Sequence, residues 1–142
     1  MTKIDLKEVV ENLIDTFIYA GKISLELRKK GLIKKIKSDN TPVTNGDLEV
    51  NKIITSKIIE LTPNIPIISE ETSDNKTLEN LKDFWLIDPI DGTHDYLNNL
   101  EEFTINAGLI VERKPVAGLI YAPAKNRMFF SYGENLAFEL IN

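Results

Sequence analysis

The change of hydrophobic period along the chain limits its fold more than any other feature of the sequence. Apolar residues recur at helical spacing through residues 4–30, and Gly31 ends this amphipathic pattern. A second helix is predicted over residues 47–61, with Thr44 or Asn45 as its cap. Beyond it, the apolar segments are short and typical of strands. Helices grouped ahead of strands predict an α+β fold, with two long helices packed on one face of an antiparallel sheet.

Short apolar segments in the second half of the chain predict the strands of that sheet. FTINAGLIVE and PVAGLIYAP flank RKP, and RMFFSY and LAFELI flank GEN, so each pair is expected to form a hairpin. The segment IPIIS predicts a short strand just before Glu70 and Glu71, and FWLI predicts another. The polar segment KSDNTPVTNGD, between the two helices, predicts a loop.

Composition excludes several kinds of site. The chain has 142 residues and a mass of 16.1 kDa, which suits one domain, residues 1–142, with a real core. It has no cysteine and one histidine, His94, which excludes thiol catalysis, disulfide frameworks, zinc ribbons and multi-histidine metal sites. A metal site would therefore use oxygen donors and hold a hard cation. The lack of cysteine also fits a cytoplasmic location.

Charge and hydropathy limit the partners of the chain. The net charge is −5, and the main basic cluster, LRKKGLIKKIK, is typical of a solvated helix end and loop. Polymeric nucleic acid is therefore not expected as a partner. No window approaches the roughly 18 apolar residues of a membrane span, and the first residues lack the layout of a signal peptide. We expect no membrane span.

The stretch FWLIDPIDGTHDYL, residues 84–97, joins a strand-like segment directly to several polar residues. Pro89 restricts φ and Gly92 tolerates positive φ, so DPIDG is typical of a turn. On its own, this pattern allows Asp88 and Asp91 to be turn residues without chemistry. The rest of the chain is needed to decide between a turn and a site.

Acidic residues recur where predicted helices and strands begin or end. They are Asp47, Glu70, Glu71, Asp88 and Asp91. Carboxylates at the ends of neighbouring elements can converge, and they then repel one another unless a cation lies among them. Two Mg²⁺ ions with such ligands form a clamp for in-line attack on a phosphoryl group. Free N–H groups at a helix start after Gly92 would suit the phosphate. The set therefore favours a metal-dependent phosphatase.

Three ordered motifs resemble those of a known superfamily. WLIDPIDGT, with PVTNGD upstream and PIISEET between, resembles the inositol monophosphatase-like superfamily of Mg²⁺-dependent, lithium-sensitive phosphomonoesterases. The likeness runs from about Leu6 to the C-terminus. Within the superfamily, the segments EFTIN, KPV and YAP look most like the 3′(2′),5′-bisphosphate nucleotidase branch. Inositol phosphatases are the alternative branch.

The resemblance implies a set of metal ligands. Glu70, Asp88 and the backbone carbonyl of Ile90 would bind the first metal ion. Asp88 would bridge to a second metal ion, which Asp91 would also bind. Hard oxygen donors of this kind are the ligands that Mg²⁺ prefers.

The resemblance also implies catalytic and phosphate-binding residues. Asp47 and Thr93 would orient the attacking water and help to deprotonate it, and Glu71 would hold a water on the metal. The backbone N–H groups of Gly92 and Thr93 would bind the phosphate. Structural interpretations remain open: Asp47 as a first-turn helix acid, Glu71 as a solvated charge and Thr93 as a plain cap.

The function implied by the resemblance is Mg²⁺-dependent, Li⁺-inhibited hydrolysis of a small phosphate monoester, adenosine 3′,5′-bisphosphate, to AMP and phosphate. The alternatives are an inositol or sugar phosphate monophosphatase and a non-catalytic truncated relic. His94 stands where the nucleotidase branch has Lys or Arg and is interpreted as a solvated helix-start residue. Family members carry a second α/β domain, which is not found after Asn142, so we expect impaired turnover and self-association, for example as a homodimer.

Overall fold

The structure is a computed structural model that describes residues 5–69, 81–133 and 136–141. The described helices are α1 (Leu6–Lys30), α2 (Asn45–Leu61) and α3 (Thr93–Leu97). The described strands are β1 (Lys34–Ile36), β2 (Pro42–Thr44), β3 (Ile67–Ser69), β4 (Phe84–Asp91), β5 (Thr104–Val111), β6 (Lys114–Ala122), β7 (Arg127–Tyr132) and β8 (Ala137–Ile141). A short 3-10 turn, Pro123–Lys125, links β6 to β7.

The two long helices predicted from hydrophobic period are both confirmed. Helix α1 begins after Asp5, whose Oδ1 accepts a hydrogen bond from the Glu8 amide at 3.1 Å. It ends at Gly31, whose φ of 102° lies in the region that favours glycine. Helix α2 begins two residues earlier than predicted, because Thr44 is the residue that caps it.

β3 to β8 form one six-stranded sheet in the order of the sequence, and this confirms the α+β class and both predicted hairpins. The pairs from β4 to β8 are antiparallel, whereas β3 and β4 are parallel. A parallel pair requires a crossover connection of about a dozen residues or more, and residues 70–83 are long enough for one. The sheet is therefore mixed rather than wholly antiparallel.

The hydrophobic core lies between one face of the sheet and the two long helices. Helix α1 packs on α2 and β6, and α2 packs on β4. Alternate strand residues point into this core, and the large ones among them include Trp85, Ile105, Leu109, Leu119 and Met128. The indole Nε1 of Trp85 donates a hydrogen bond to Thr62 Oγ1 at 3.0 Å, which ties β4 to the end of α2.

We call the opposite side of the sheet the outer face. Leu86, Ile120 and Phe129 lie there with 42%, 48% and 37% of their surface exposed. Gly108 and Gly118, which are paired in the sheet, contribute no side chain between them. A groove of about 950 Å³ follows this face and reaches Asp88 at one end. Asp88 therefore lies beside an open, partly apolar face of the sheet.

The segment between α1 and α2 differs from the predicted loop. β1 and β2 pair in it as a small antiparallel hairpin, and the Lys37 amide donates to the Thr41 carbonyl at 2.8 Å. Strands of three residues are too short to show an alternating pattern, so no periodic signal for them is present in the sequence. No helix in the described part of the chain is long and apolar enough to cross a bilayer. The cytoplasmic location stays a prediction.

Candidate active site

β4 carries Asp88 and Asp91 on a bulged strand end. Asp88 lies opposite Asn106 and Asp91 lies opposite Thr104, so residues 89–90 face a single residue of β5. In a regular strand, residues three apart point to opposite faces. Because Thr104 and Asn106 share a face, the extra residue brings both aspartates to the same side of the sheet, which is the outer face.

The turn predicted for DPIDG is wrong, since β4 continues through Asp91. The Nδ2 of Asn106 lies 3.1 Å from Thr104 Oγ1, which agrees with a shared face for these two partners of the bulge. The signal in the sequence was Pro89, because a proline inside a sheet is largely confined to edges, strand starts and bulges. Asp88 is half-buried and Asp91 is exposed.

Gly92 makes the sharp change of direction from β4 into α3. Its φ is 87°, and a Cβ at this position would lie 2.7 Å from the carbonyl oxygen of Glu102. Any other residue would therefore be strained and would press on backbone. Thr93 then begins α3, a single turn of five residues. His94 is exposed beside Asn98, as the prediction of a solvated helix-start residue describes.

Asp47 and Thr93, 46 residues apart, meet at this point. Thr93 Oγ1 lies 3.5 Å from Asp47 Oδ1 and 3.4 Å from the Ile90 carbonyl oxygen. The single hydroxyl proton can be donated to one of these two acceptors at a time. Thr93 therefore connects the start of α2 with a carbonyl of the bulge.

The second carboxylate oxygen of Asp47 has a structural partner. Asp47 Oδ2 accepts from the Thr44 amide at 2.9 Å, while Thr44 Oγ1 accepts from the Asp47 amide at 3.1 Å. These reciprocal bonds are a capping box at the start of α2. The interpretation of Asp47 as a helix-start acid is therefore correct for Oδ2, and Oδ1 remains directed at Thr93.

Burial raises the pKa of two side chains at the starts of α2 and α3, Asp47 and Tyr96. The side chain of Asp47 is fully buried, and desolvation raises its pKa, although the hydrogen bonds from Thr44 and Thr93 oppose the shift. Tyr96 is also fully buried, and its pKa is raised by desolvation and then by the nearby Asp47 charge. A carboxyl with a raised pKa is suited to proton exchange closer to neutral pH.

Glu70 and Glu71, a predicted metal ligand and a predicted water ligand, lie outside the described residues. Strand β3 precedes them in the sequence and pairs Ser69 with Ile87 of β4. The Ser69 hydroxyl donates a hydrogen bond to the Asn51 side chain on α2. Within the described ranges, no three Asp, Glu, His or Cys side chains group closely enough to hold a metal ion. The predicted metal set therefore stays a prediction.

Sequence reasoning missed the contact that Tyr96 makes with α1. Its hydroxyl donates a hydrogen bond to the Ser24 carbonyl oxygen on α1 at 2.7 Å. A tyrosine in a polar stretch gives no sign of a partner 72 residues away, because only the packing of α1 against α3 brings them together. Its position three residues after Thr93, on the same short helix, was the one available signal.

The fold and the site place the chain among α+β proteins that gather acidic residues at a bulged strand end beside a short helix. The model of the inositol monophosphatase family matches residues 5–138, and the chain belongs to that family. The family predicted from the three motifs is thereby confirmed.

Among curated relatives, the chain is similar to the 3′(2′),5′-bisphosphate nucleotidase CysQ of Haemophilus influenzae. The two are 37% identical over 114 residues, which is 79% of this chain and 42% of the relative. The chain thus spans less than half the length of this relative.

Two solved structures show the same fold. A staphylococcal inositol monophosphatase-1, described as a LiCl-soaked inhibitory complex, has a TM-score of 0.85 and 19% identity and covers 97% of this chain and 52% of its own. An IMPase/NADP phosphatase complexed with Mg²⁺ and phosphate has a TM-score of 0.82 and 20% identity and covers 94% of this chain and 51% of its own.

Proposed function

We propose that the chain is a Mg²⁺-dependent phosphomonoesterase domain of the bisphosphate nucleotidase type. Its reaction would be the hydrolysis of adenosine 3′,5′-bisphosphate to AMP and phosphate. The observation that carries this proposal is the contact between Asp47 and Thr93 beside the bulged end of β4. The family match and the likeness to nucleotidases named CysQ support the choice of reaction.

The donors at the bulge are of the kind that Mg²⁺ requires. Asp88 and Asp91 share the outer face, and the Ile90 carbonyl lies between them in the chain, so this part of the donor set consists of oxygens. We propose that Glu70, Asp88, the Ile90 carbonyl and Asp91 hold the metal. When bound, Mg²⁺ supplies charge stabilisation for the phosphoryl oxygens and a lower pKa for water. The solved relative with Mg²⁺ and phosphate supports this choice. Li⁺ should inhibit, and the LiCl-soaked inhibitory complex of the staphylococcal relative supports that expectation.

In this proposal, the described residues contribute proton transfer, from the attacking water through Thr93 to Asp47. Thr93 Oγ1 accepts a hydrogen bond from the attacking water, and its own proton is directed at Asp47 Oδ1. The buried carboxylate then receives the proton, which its raised pKa favours. Glu71 would hold a water at the metal. The amides of Gly92 and Thr93 would bind the phosphate, and since α3 is one turn long, these amides rather than a helix dipole would do so.

A second candidate is an inositol or sugar phosphate monophosphatase. His94, exposed at the start of α3, replaces the Lys or Arg of the nucleotidase pattern, and this departure favours the second candidate. The solved relatives named inositol monophosphatase share the fold of this chain and do not decide between the two substrates.

A phosphate-release panel tests the proposal. The chain is assayed with Mg²⁺ on adenosine 3′,5′-bisphosphate and on inositol 1-phosphate, and the preference between them is measured whatever the absolute rate. We expect the nucleotide to be preferred and Thr93→Val to lower its rate by about 10²-fold. The control is Thr55→Val, which removes a hydroxyl that bonds only within α2. Preference for inositol phosphate, or an unchanged rate in Thr93→Val, would overturn the proposal.

A further inference from the structure

We propose that Tyr96 is a positioning residue that fixes the separation of Asp47 and Thr93. This inference rests on the proposed function, because it is the reaction that gives the separation its importance. Nothing in the motifs assigns a role to this tyrosine. Its side chain makes three contacts: with α1, with the start of α2, and with the side chains of Phe103 and Arg28.

The first contact anchors the phenol to α1. Tyr96 is fully buried, and its hydroxyl donates to the Ser24 carbonyl at 2.7 Å. This carbonyl belongs to a helix that contributes no predicted site residue. The hydroxyl therefore connects the site to a rigid part of the core, which a phenylalanine could not do.

The second contact lies against the start of α2. A Cβ built on Gly46 would fall 2.1 Å from the Tyr96 hydroxyl oxygen and 2.7–2.8 Å from two ring carbons. The glycine is therefore required because the phenol occupies the space of its side chain. Gly46 immediately precedes Asp47, so the tyrosine sets how close the start of α2 comes to α3.

The third contact is with the Phe103 ring and the Arg28 guanidinium. The Phe103 ring centre is 4.9 Å from that of Tyr96, and the Arg28 guanidinium lies over both rings at 4.9 and 5.6 Å. Arg28 is itself fixed by a hydrogen bond to the Leu100 carbonyl at 2.6 Å. The Tyr96 ring is thus in contact with Gly46, Phe103 and Arg28.

Helix α3 links the position of the Tyr96 ring to the position of Thr93 relative to Asp47. Tyr96 lies three residues after Thr93, and its amide donates to the Gly92 carbonyl at 2.9 Å, so both are on the same helical turn. Tyr96 contacts Gly46 and Thr93 contacts Asp47, so both contacts join α3 to the first turn of α2. A shift of the phenol would therefore change the Thr93 Oγ1 to Asp47 Oδ1 distance.

The chain offers a matched pair of control substitutions. Tyr121 is also buried, its hydroxyl lies 3.4 Å from Asn126 Oδ1, and a Cβ on Gly21 would fall 2.4 Å from its ring. Tyr121 and Gly21 thus repeat the tyrosine–glycine contact away from the site. Tyr96→Phe and Gly46→Ala are compared with Tyr121→Phe and Gly21→Ala, which disturb a tyrosine–glycine contact between α1 and β6.

The experiment measures kcat, KM, melting temperature and the side-chain NOE between Thr93 and Asp47 in all four variants. All four should lose melting temperature. Only Tyr96→Phe and Gly46→Ala should weaken the NOE and lower kcat, by about 10- to 100-fold with little change in KM, because misplacement affects the reacting geometry. Equal losses of kcat in the controls, or an unchanged NOE in Tyr96→Phe, would overturn the inference.

The NOE separates this inference from the proposed function. If the parent chain released no phosphate while Tyr96→Phe lost the NOE, the proposed function would fail and the positioning role would stand. If the parent were active and Tyr96→Phe kept both kcat and the NOE, the proposed function would stand and the positioning role would fail.

Discussion

At the scale of single residues, the Asp47 carboxyl group combines a structural role, which the structure shows, with the proton-transfer role that we propose. Its Oδ2 closes the capping box with Thr44, and its Oδ1 faces Thr93. Full burial is the cost of this arrangement, because desolvation disfavours the charged form. The two tasks can be separated by a substitution that keeps the shape of the side chain and removes its charge.

Asp47→Asn should be more stable than the parent at pH 7. The folded pKa of Asp47 is raised, so the parent loses stability as pH rises from the ordinary carboxyl pKa, about 3.9, through the folded value. Asparagine can still accept the bonds from Thr44 and avoids this loss. The melting-temperature gain should therefore shrink toward zero near pH 3, and phosphate release should fall by about 10²-fold at pH 7.

Asp39→Asn is the control, because the pKa of Asp39 is shifted in the opposite direction to that of Asp47. Hydrogen bonds from Thr41 lower the pKa of the exposed Asp39 carboxyl, so the parent keeps that stabilisation above the ordinary carboxyl pKa and loses it in acid. The control should not gain stability at pH 7. A lower melting temperature for Asp47→Asn than for the parent at pH 7 would contradict the account of Asp47.

Asp91→Asn should weaken Mg²⁺ binding far more than it harms the fold. Asp91 is exposed on the bulge, and the substitution removes one of the charged ligands that we propose for Mg²⁺. We expect the Kd to rise by roughly tenfold or more, with the melting temperature of the metal-free protein unchanged or higher. Calorimetric titration with Mg²⁺ measures the Kd. Asp95→Asn, which changes a neighbouring acid outside the proposed ligand set, is the control. An unchanged Kd in Asp91→Asn would refute the ligand assignment.

At the scale of elements, β4 is held in place by α2, and this fixes where its bulged end lies. The hydrogen bond from Trp85 Nε1 to Thr62 Oγ1 joins the two elements in the buried core. Because α2 carries Asp47 at its other end, the docking of α2 on β4 also orients the site.

Thr62→Val should destabilise the fold by about 1–3 kcal/mol, because it leaves the buried indole N–H of Trp85 without its acceptor. Denaturant unfolding with an unchanged m-value would measure this loss. Thr55→Val on the same helix is the control and should cost much less, since its hydroxyl bonds only to carbonyls of α2. Equal stability of the two variants would show that this hydrogen bond does not dock α2.

The elements that sequence reasoning predicted are those with a strong period of their own. The long helices and the β5–β6 and β7–β8 hairpins fall into this group, since their patterns are local. The bulge in β4 was missed because the turn chemistry of DPIDG hides a strand whose continuation depends on pairing with β5. The contact of Tyr96 with Ser24 was missed because it depends on tertiary packing alone.

At the scale of the whole molecule, the outer face of the sheet is the surface on which we expect a second copy of the chain to bind. Leu86, Ile120 and Phe129 expose apolar surface on the outer face, and such surfaces favour association. The same face carries Asp88 at one end of its groove, so a second copy bound there would lie beside the candidate site.

We expect the chain to self-associate through the outer face. Ile120→Thr should lower the weight-average mass in sedimentation at a given concentration, because it removes exposed apolar area and keeps a good strand residue. Ile59→Thr is the control: Ile59 is 57% exposed, but it lies on α2, away from the outer face. A monomeric parent chain, or equal effects of the two substitutions, would contradict this prediction.

The central claim is that the bulged end of β4 holds a metal ion beside the starts of α2 and α3. Paramagnetic titration with Mn²⁺, which also prefers oxygen ligands, tests it most directly. The backbone amide signals of Ile90, Asp91, Gly92, Thr93 and Asp47 should broaden first, at Mn²⁺ well below the protein concentration. Excess Mg²⁺ should restore them, and Asp88→Asn should abolish the selective broadening. Uniform broadening across the chain, or first broadening at acids elsewhere such as Glu101 and Glu102, would contradict the account.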